Sequence, residues 1–406
     1  MTETPDQGPD PLVAGRREHH QAIIDSGGYP HRFDRTHRAA EVHESHPGLA
    51  PGRETADRVT VAGRVMLHRS FGKLQFATLQ DDSGSIQLFV DRATLGEVLA
   101  DEFARVDLGD WVGASGVVMT TKKGELSVRV DDFTVLQKSL RPLPEKWHGL
   151  SDVELRSRRR YLDLMVNEEA RRVALTRAAV VSELRRQFET RGFVEVETPV
   201  LLTQATGATA RPFATEHHAL DMEMFLRIAT ELHLKRLVVG GLERVFEIGR
   251  IFRNEGIDST HNPEFTMLEA YQALADYTDI MTLVEQVVVA VTDQVLGGTK
   301  ISYQGRDLDL SPPYRRASMA MLVSEKLGRE IDLDTPRDTL AQAAGGAGVE
   351  VARDWSASRI VAEVYEELVE KEIWEPTFVT HPPIEVSPLA RRNRDDPRLA
   401  DRFELV

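Results

Sequence analysis

The chain has 406 residues, 41% of them hydrophobic and 28% charged, which fits a globular protein of roughly two or three domains. It has no cysteine, which excludes disulfides and thiolate metal sites. No apolar run approaches the about 20 residues of a membrane helix, and the polar N-terminus is unlike a secretory signal, so we expect a cytoplasmic protein without a membrane partner. The net charge of −15 argues against a general nucleic-acid coat protein but allows a local basic face.

Residues 1–55 are rich in His, Pro, Gly and charged residues, and a short helix is predicted at residues 16–24. Six of the thirteen histidines lie before residue 50. Their spacing does not match a closed zinc site, and no thiolate assists them. We therefore interpret this segment as a solvated tail.

Residues 56–140 have the period-two pattern of β-strands. A helix-like segment at 92–103 lies between the third and fourth runs. The predicted strands are residues 59–69, 74–79, 85–90, 111–119 and 126–136. This order predicts an OB-fold, a barrel whose face commonly takes oligonucleotides. By periodicity alone, Phe76 fits a core ring of the barrel better than an exposed stacking surface.

Residues 141–152 contain two stiffening prolines and are predicted to be a linker. The arginines at 156–160 fit a solvated helix face and an RNA backbone contact equally well. Further on, mainly helical structure is expected at 310–375. The other predicted helices are residues 173–191, 231–239 (with Thr230 as N-cap) and 276–296, and the other predicted strands are 193–199, 224–228 and 376–380.

Residues 243–271 consist of two apolar-rich runs around a polar loop, which indicates a β-hairpin. Strand periodicity places two sets on one face each: Ile251, Arg253 and Glu255 in the first run, and Phe265, Met267, Glu269 and Tyr271 in the second. A guanidinium, carboxylates and a phenol are costly to bury together without a ligand. One interpretation is that these groups bind a phosphate, a purine and an ammonium. The alternative is that the hairpin is a half-exposed strand pair whose charges are solvated.

The hairpin resembles motif 2 of class II aminoacyl-tRNA synthetases. The runs Phe-Arg-Asn-Glu-Gly at 252–256 and His-Asn-Pro-Glu-Phe-Thr-Met at 261–267 resemble the lysyl-tRNA synthetases, and the aspartyl and asparaginyl enzymes less well. The resemblance implies an α+β protein with an N-terminal OB-fold β-barrel and a class II synthetase-type antiparallel sheet flanked by helices. The implied domains are a tail at 1–55, an anticodon-binding barrel at 56–140, a linker at 141–152 and a catalytic domain at 153–406 with a helical insertion at about 310–375.

The resemblance also implies roles for individual residues. The implied catalytic residues are Arg253, Glu255 and His261, which with Phe265 also form the ATP site. The implied lysine-binding residues are Gly207, Glu231, Glu269 and Tyr271. The implied anticodon contacts are Arg69, Phe76, Gln87 and Glu125. The predicted helix at 173–191, Gly192 and the predicted strand at 193–199 resemble motif 1, through which class II synthetases form dimers. The resemblance therefore implies a homodimer.

The function implied is that of a lysine–tRNA ligase, with L-lysine, ATP and tRNA(Lys) as substrates and Mg2+ as cofactor. Metal ligands are expected only beyond Val406, together with motif 3, so we expect a fragment or impaired form with little adenylation activity of its own. The alternatives are a non-catalytic tRNA-binding paralogue and, less well supported, an aspartyl- or asparaginyl-type ligase. The loop before His261 carries Asp258, Ser259 and Thr260 where many relatives have a basic residue, which puts one ATP phosphate or tRNA-acceptor contact in doubt.

Overall fold

A computed structural model describes residues 11–143, 150–258 and 260–406. The chain divides into two compact units, Met1–Arg171 and Arg172–Val406. Residues 144–149 of the predicted linker lie outside the described residues. No helix of the described ranges is both long enough and apolar enough to cross a membrane.

The first unit is built on a closed five-stranded barrel with the predicted OB-fold strand order. Strands β3 and β5 close the barrel as a parallel pair, whereas the other neighbouring strands are antiparallel. The barrel strands are β1 (Glu54–Phe71), β2 (Leu74–Gln80), β3 (Ser85–Asp91), β4 (Trp111–Thr120) and β5 (Leu126–Gln137). The helices of this unit are α1 (Pro11–Asp25), α2 (Ala39–Ser45), α3 (Arg92–Leu95), α4 (Glu97–Phe103), α5 (Val153–Arg158) and α6 (Arg160–Val166).

Alternation along β2 decides the position of Phe76. Ala77 and Leu79 are 1% exposed and belong to the barrel core. Phe76 points to the other face of the strand because successive side chains alternate. The interpretation of Phe76 as a core ring is therefore wrong.

The expectation of a solvated N-terminal tail is also wrong. Ala39 and Val42, on α2, are 1% and 0% exposed and pack into the barrel core. Arg16, on α1, is 7% exposed and donates hydrogen bonds to the carbonyls of Leu108, Ser139 and Arg141. Composition did not indicate this docking, because the buried residues include Arg16 whereas apolar Leu12 and Ile24 are 64% and 44% exposed.

The second unit is α+β, as predicted, and its first elements surround the hairpin. The helix α7 (Glu168–Glu189) begins in the last residues of the first unit. Next come β6 (Val194–Glu195), β7 (Leu201–Leu202), β8 (Ala214–His217), β9 (Met222–Leu226), α8 (Glu231–Val239), β10 (Arg244–Phe252), β11 (Glu264–Gln272) and α9 (Tyr277–Leu296). Strand β10 pairs antiparallel with β11 and parallel with β6, and β9 lies between β7 and β8.

The remaining elements form a two-stranded sheet of β12 and β13, a three-stranded sheet in the order β14-β15-β16, and a helical region. They are β12 (Lys300–Tyr303), β13 (Arg306–Asp309), β14 (Arg315–Ser318), α10 (Met319–Leu327), α11 (Arg337–Gly346), α12 (Ala357–Val364), a π-helical turn (Tyr365–Val369), a 3-10 turn (Glu370–Glu372), β15 (Thr377–Thr380), a second 3-10 turn (Ile384–Val386) and β16 (Phe403–Leu405). The helices of this region share one core, which includes Leu322, Ile360 and Tyr365. The region is mainly helical as predicted, with β14 as an exception.

Two strand predictions were too long. The strand expected at 193–199 is reduced to Val194–Glu195, where it pairs with β10 at Val245 and Phe246. Strand β10 ends at Phe252, so Arg253 and Glu255 follow the strand instead of continuing it. Periodicity marked the right segments but not the residues at which the ladder hydrogen bonds stop.

Candidate active site and nucleic-acid interface

The hairpin β10–β11 brings two rows of side chains onto one face. The register pairs Glu247 with Glu269 and Ile251 with Phe265, and paired residues of an antiparallel ladder point to the same side. Tyr271, two positions along from Glu269, shares that face. The predicted common surface therefore exists along the length of the hairpin.

Arg253 extends this surface beyond the end of β10. Its backbone N–H donates to the carbonyl of Pro263 at 2.8 Å, which continues the ladder by one residue. Its guanidinium carbon lies 5.3 Å from the centroid of the Phe265 ring, a cation–π distance. Its Nε is buried and has no hydrogen-bond partner among residues 11–143, 150–258 and 260–406. A buried cationic donor without a partner is costly, so this atom is suited to an anionic ligand.

Glu255 lies beyond the end of β10, so the expectation that it is a strand residue is wrong. Glu255 is exposed in the loop after β10, and the His261 side chain is 72% exposed in the same loop. Strand β10 ends at Phe252, so strand periodicity does not sort the side chains of the loop. The roles of both residues as nucleotide contacts stay predictions.

Asp258 organises the loop that carries His261. Its carboxylate accepts hydrogen bonds from the backbone N–H groups of Thr260 and His261, at 2.7 and 2.8 Å, and from the Thr260 hydroxyl at 2.9 Å. These bonds, led by that from the Thr260 N–H, hold the pKa of Asp258 well below its ordinary value. Asp258 thus shapes the loop.

The other end of the face gathers carboxylates around a phenol. The Tyr271 hydroxyl donates to Glu269 Oε2 at 3.1 Å, and the Thr230 N–H donates to Glu269 Oε1 at 3.0 Å. Burial, followed by the negative charges of Glu269 and Glu231, raises the pKa of Tyr271, which therefore stays a neutral donor. Thr230 is the N-cap position of α8 as predicted, but its side chain makes no capping bond.

Glu231 begins α8 and already holds an ammonium group. Its Oε1 accepts from Nζ of Lys235 at 2.5 Å, and this Nζ also lies 5.8 Å from the centroid of the Tyr271 ring. Gly207 lies next to Glu231, because a Cβ on Gly207 would be 3.3 Å from the Cβ of Glu231. The φ of +93° at Gly207 favours glycine further. The structure thus brings Gly207, Glu231, Glu269 and Tyr271 to one end of the hairpin.

Sequence reasoning missed Arg227, which is 3% exposed and pairs with the equally buried Glu247 at 2.5 Å. The sequence did carry a signal for this pair, an arginine inside the apolar run at 224–228. Such an arginine is expected to be buried, and a buried arginine needs an acidic partner.

The four predicted anticodon residues line one groove on the barrel, with a volume of about 700 Å³. The register sets Phe76 between Arg69 and Phe89, in one row across three strands. Exposed lysines flank the row at the turn between β4 and β5. The groove residues relevant to RNA are Arg69, Phe71, Phe76, Gln87, Phe89, Lys122, Lys123 and Glu125.

The polar groups of the groove are arranged for base edges. The Gln87 amide donates through Nε2 to the Ser127 hydroxyl at 2.8 Å, which leaves its carbonyl oxygen free to accept. The Phe76 ring meets Phe89 edge-on at 5.3 Å and Phe71 at 6.0 Å, so its remaining surface lies toward the groove. Such a combination of aromatic rings, amide and cations suits single-stranded nucleic acid.

The arginine cluster at 156–160 is largely ion-paired within the first unit. Arg156 and Arg160 both donate to Asp163, which is 0% exposed, at 2.9 and 2.5 Å. Arg158 donates to Glu154 at 2.7 Å. These pairs favour a structural role over an RNA backbone contact.

Comparisons with known proteins agree with this geometry. A family model described as tRNA synthetases class II (D, K and N) matches residues 152–406, and one described as OB-fold nucleic acid binding domain matches residues 59–136. The lysine–tRNA ligase of Prochlorococcus marinus (strain MIT 9303) is 50% identical over 402 residues, covering 96% of this chain and 79% of that protein. The lysine–tRNA ligase of Synechococcus sp. (strain CC9902) is 52% identical over 388 residues, covering 94% of this chain and 77% of that protein.

The barrel, the β10–β11 face and the matched family models define a class II tRNA synthetase with an OB-fold nucleic acid binding domain. Within that class, the chain belongs to the lysine–tRNA ligase family.

Proposed function

We propose that this chain acts as a lysine–tRNA ligase, which joins lysine to ATP as an adenylate and passes the lysyl group to tRNA(Lys). The observation that carries the proposal is the single face of β10–β11. On it, the Arg253–Phe265 pair lies at one end and the acidic cluster of Glu269 and Tyr271 at the other. A phosphate-binding group and an ammonium-binding group on one surface match the two substrates of the first step.

In the nucleotide half, Arg253 holds the α-phosphate and Phe265 stacks on adenine. The lysine carboxylate attacks the α-phosphate in line and pyrophosphate leaves, so the chain needs no nucleophile of its own. Its contribution is to position the reactants and to stabilise charge. The unpartnered, buried Nε of Arg253 supports this role. Glu255 and His261 contact the nucleotide from the loop shaped by Asp258.

In the amino-acid half, Glu231 binds the α-ammonium of lysine, with Gly207 allowing the backbone to approach closely. Glu231 also pairs with Lys235 within α8, so the substrate ammonium has to share or displace this contact. Tyr271 donates to the substrate and Glu269 lies near its ammonium.

The barrel groove reads the anticodon of tRNA(Lys). Phe76 stacks on a base, Gln87 and Glu125 hydrogen-bond to base edges, and Arg69 faces the backbone. The exposed lysines of the neighbouring turn supply phosphate contacts, which are sensitive to salt. The placement of all four residues on one groove supports this part of the proposal.

Mg2+, a homodimer and a cytoplasmic location complete the proposal. Among residues 11–143, 150–258 and 260–406, no group of three or more His, Asp or Glu side chains is arranged to hold a metal ion, so the steps above involve only the chain's own residues. Val194, Val200 and Leu201 are 51%, 40% and 46% exposed near the motif 1 strand, and this exposed apolar surface supports self-association.

An amino-acid panel tests the proposal in the full chain. Lysine, aspartate, asparagine and ornithine are compared in equilibrium binding and in amino-acid-dependent ATP–pyrophosphate exchange. We expect lysine to bind most tightly and to give the largest stimulation, whatever the absolute rate. A preference for aspartate or asparagine, or no preference at all, would overturn the assignment. Anticodon-hairpin binding without any binding of lysine or ATP would point to the non-catalytic tRNA-binding paralogue.

A further inference from the structure

Arg227 connects two segments through its backbone. It follows β9 directly and is 3% exposed. Its N–H donates to the carbonyl of Val200 at 2.9 Å, and its carbonyl accepts from the N–H of Phe252 at 3.0 Å. Phe252 is the last residue of β10 and precedes Arg253. The backbone of Arg227 therefore holds the end of the strand from which Arg253 projects.

The Arg227 side chain holds the same strand at two further points. Its Nε donates to the carbonyl of Arg250 at 2.9 Å, and its Nη1 donates to Glu247 Oε1 at 2.5 Å. The other carboxylate oxygen, Oε2, accepts from the Thr198 hydroxyl at 2.6 Å. Both oxygens of Glu247 and two donors of Arg227 are thus satisfied within a buried network.

Gly249 provides the space for this arrangement. A Cβ at Gly249 would lie 2.1 Å from Nη2 of Arg227, so any larger residue there must displace the guanidinium. The backbone of Gly249 itself is not in the left-handed region, so the requirement is spatial. Gly249→Ala therefore disturbs Arg227 without removing a charge or a hydrogen-bonding group.

Neutralising Glu247 also matters for the amino-acid half. Glu247 and Glu269 are directly paired across β10 and β11, and like charges directly opposite each other destabilise a strand pair. Arg227 offsets the charge of Glu247. Glu269 can therefore accept hydrogen bonds from the Thr230 N–H and the Tyr271 hydroxyl. Stability alone does not account for the Arg227–Glu247 ion pair, because apolar residues can often replace a buried ion pair without loss of folding stability.

We propose that Arg227 is a positioning residue for adenylate formation. It sets the end of β10 for Arg253 and offsets the charge of Glu247 directly opposite Glu269. The inference rests on the proposed function and adds a residue that touches neither substrate. A misplacement of about 1 Å can cost roughly 100-fold in rate. A shift of this strand end is therefore expected to weaken the contact of Arg253 with the α-phosphate.

The test uses Arg227→Met, Gly249→Ala and the double variant Arg227→Met/Glu247→Gln in the full chain. Binding of ATP and of lysine is measured separately, and amide hydrogen exchange is followed by peptide. We expect ATP affinity to fall about tenfold or more in all three variants, since each loses the guanidinium's hold on β10. Lysine affinity should fall in Arg227→Met and recover in the double variant, which has no unpaired carboxylate opposite Glu269. Faster exchange should be confined to peptides covering 198–200 and 250–254.

Lys138→Met is the matched control, because Lys138 is also a buried cation, 5% exposed, paired with Asp110 at 2.7 Å but located in the first unit. It should lower the stability of that unit and leave ATP affinity unchanged. Wild-type ATP affinity in Arg227→Met and Gly249→Ala would overturn the proposal. Faster exchange spread over all of 172–406 would also overturn it, because that is the result of a purely structural role. Failure of the wild-type chain to bind ATP or lysine would instead count against the proposed function, and the exchange pattern would still report on Arg227.

Discussion

Replacing Phe76 tests whether the barrel groove binds RNA through base stacking. The ring lies on the outer face of β2, between Arg69 and Phe89 in the cross-strand row, and lines the groove. In Phe76→Ala the stacking surface is lost while the polar groups at Gln87 and Glu125 remain. We therefore expect weaker binding of the tRNA(Lys) anticodon hairpin, with the order of preference among sequences retained.

The size of the effect follows from one lost stacking contact. Base–aromatic stacking contributes about 1–3 kcal/mol per base, which corresponds to roughly 5- to 150-fold in Kd. The variant also loses edge contacts with Phe71 and Phe89, each worth about 0.5–1.5 kcal/mol. Because Phe76 is outside the barrel core, this loss should lower the melting temperature without unfolding the barrel.

Fluorescence anisotropy with a labelled anticodon hairpin measures the Kd at fixed salt concentration. Phe76→Leu keeps apolar bulk without an aromatic face and should resemble Phe76→Ala in binding but not in stability. Trp111→Leu is the matched control, since Trp111 is 36% exposed on β4 and stacks with Arg64 outside the groove. If Phe76→Ala binds as tightly as wild type, or if Trp111→Leu weakens binding as much, the groove is not a stacking site.

Three further outcomes are expected. Lys122→Ala/Lys123→Ala should reduce the slope of log K against log salt by about 0.7 per lost phosphate contact, measured by titrating salt, and an unchanged slope would exclude these contacts. Arg253→Gln should weaken ATP binding by roughly 10- to 100-fold, because a charged hydrogen bond contributes about 1.5–3 kcal/mol, whereas Arg250→Gln, at an exposed residue on the other face of β10, should not. The pKa of Asp258 is lowered in the folded loop, so its contribution to loop order is fully present above its ordinary value of 3.8 and is lost as the pH falls below it. Hydrogen exchange of 258–262 against pH should show this loss in wild type and not in Asp258→Ala.

The barrel was predictable because its strands are half-buried and alternate with period two. The same alternation runs along β2, where Ala77 and Leu79 are buried and their neighbours are not. The docking of Arg16 and Val42 was not predictable, because a docked charged segment and a solvated one have nearly the same composition. The end of β10 was also missed, since periodicity does not register where a backbone leaves the sheet.

By itself, the sequence determined the barrel, the hairpin and the common face on which Phe265, Glu269 and Tyr271 lie, because alternation along a strand is a local property. Only the tertiary structure decided that Phe76 faces a groove, that Glu255 lies beyond the end of β10 and that Arg227 holds the end of β10. These features depend on contacts between residues distant in the chain, and on which donors and acceptors are left once the core is packed.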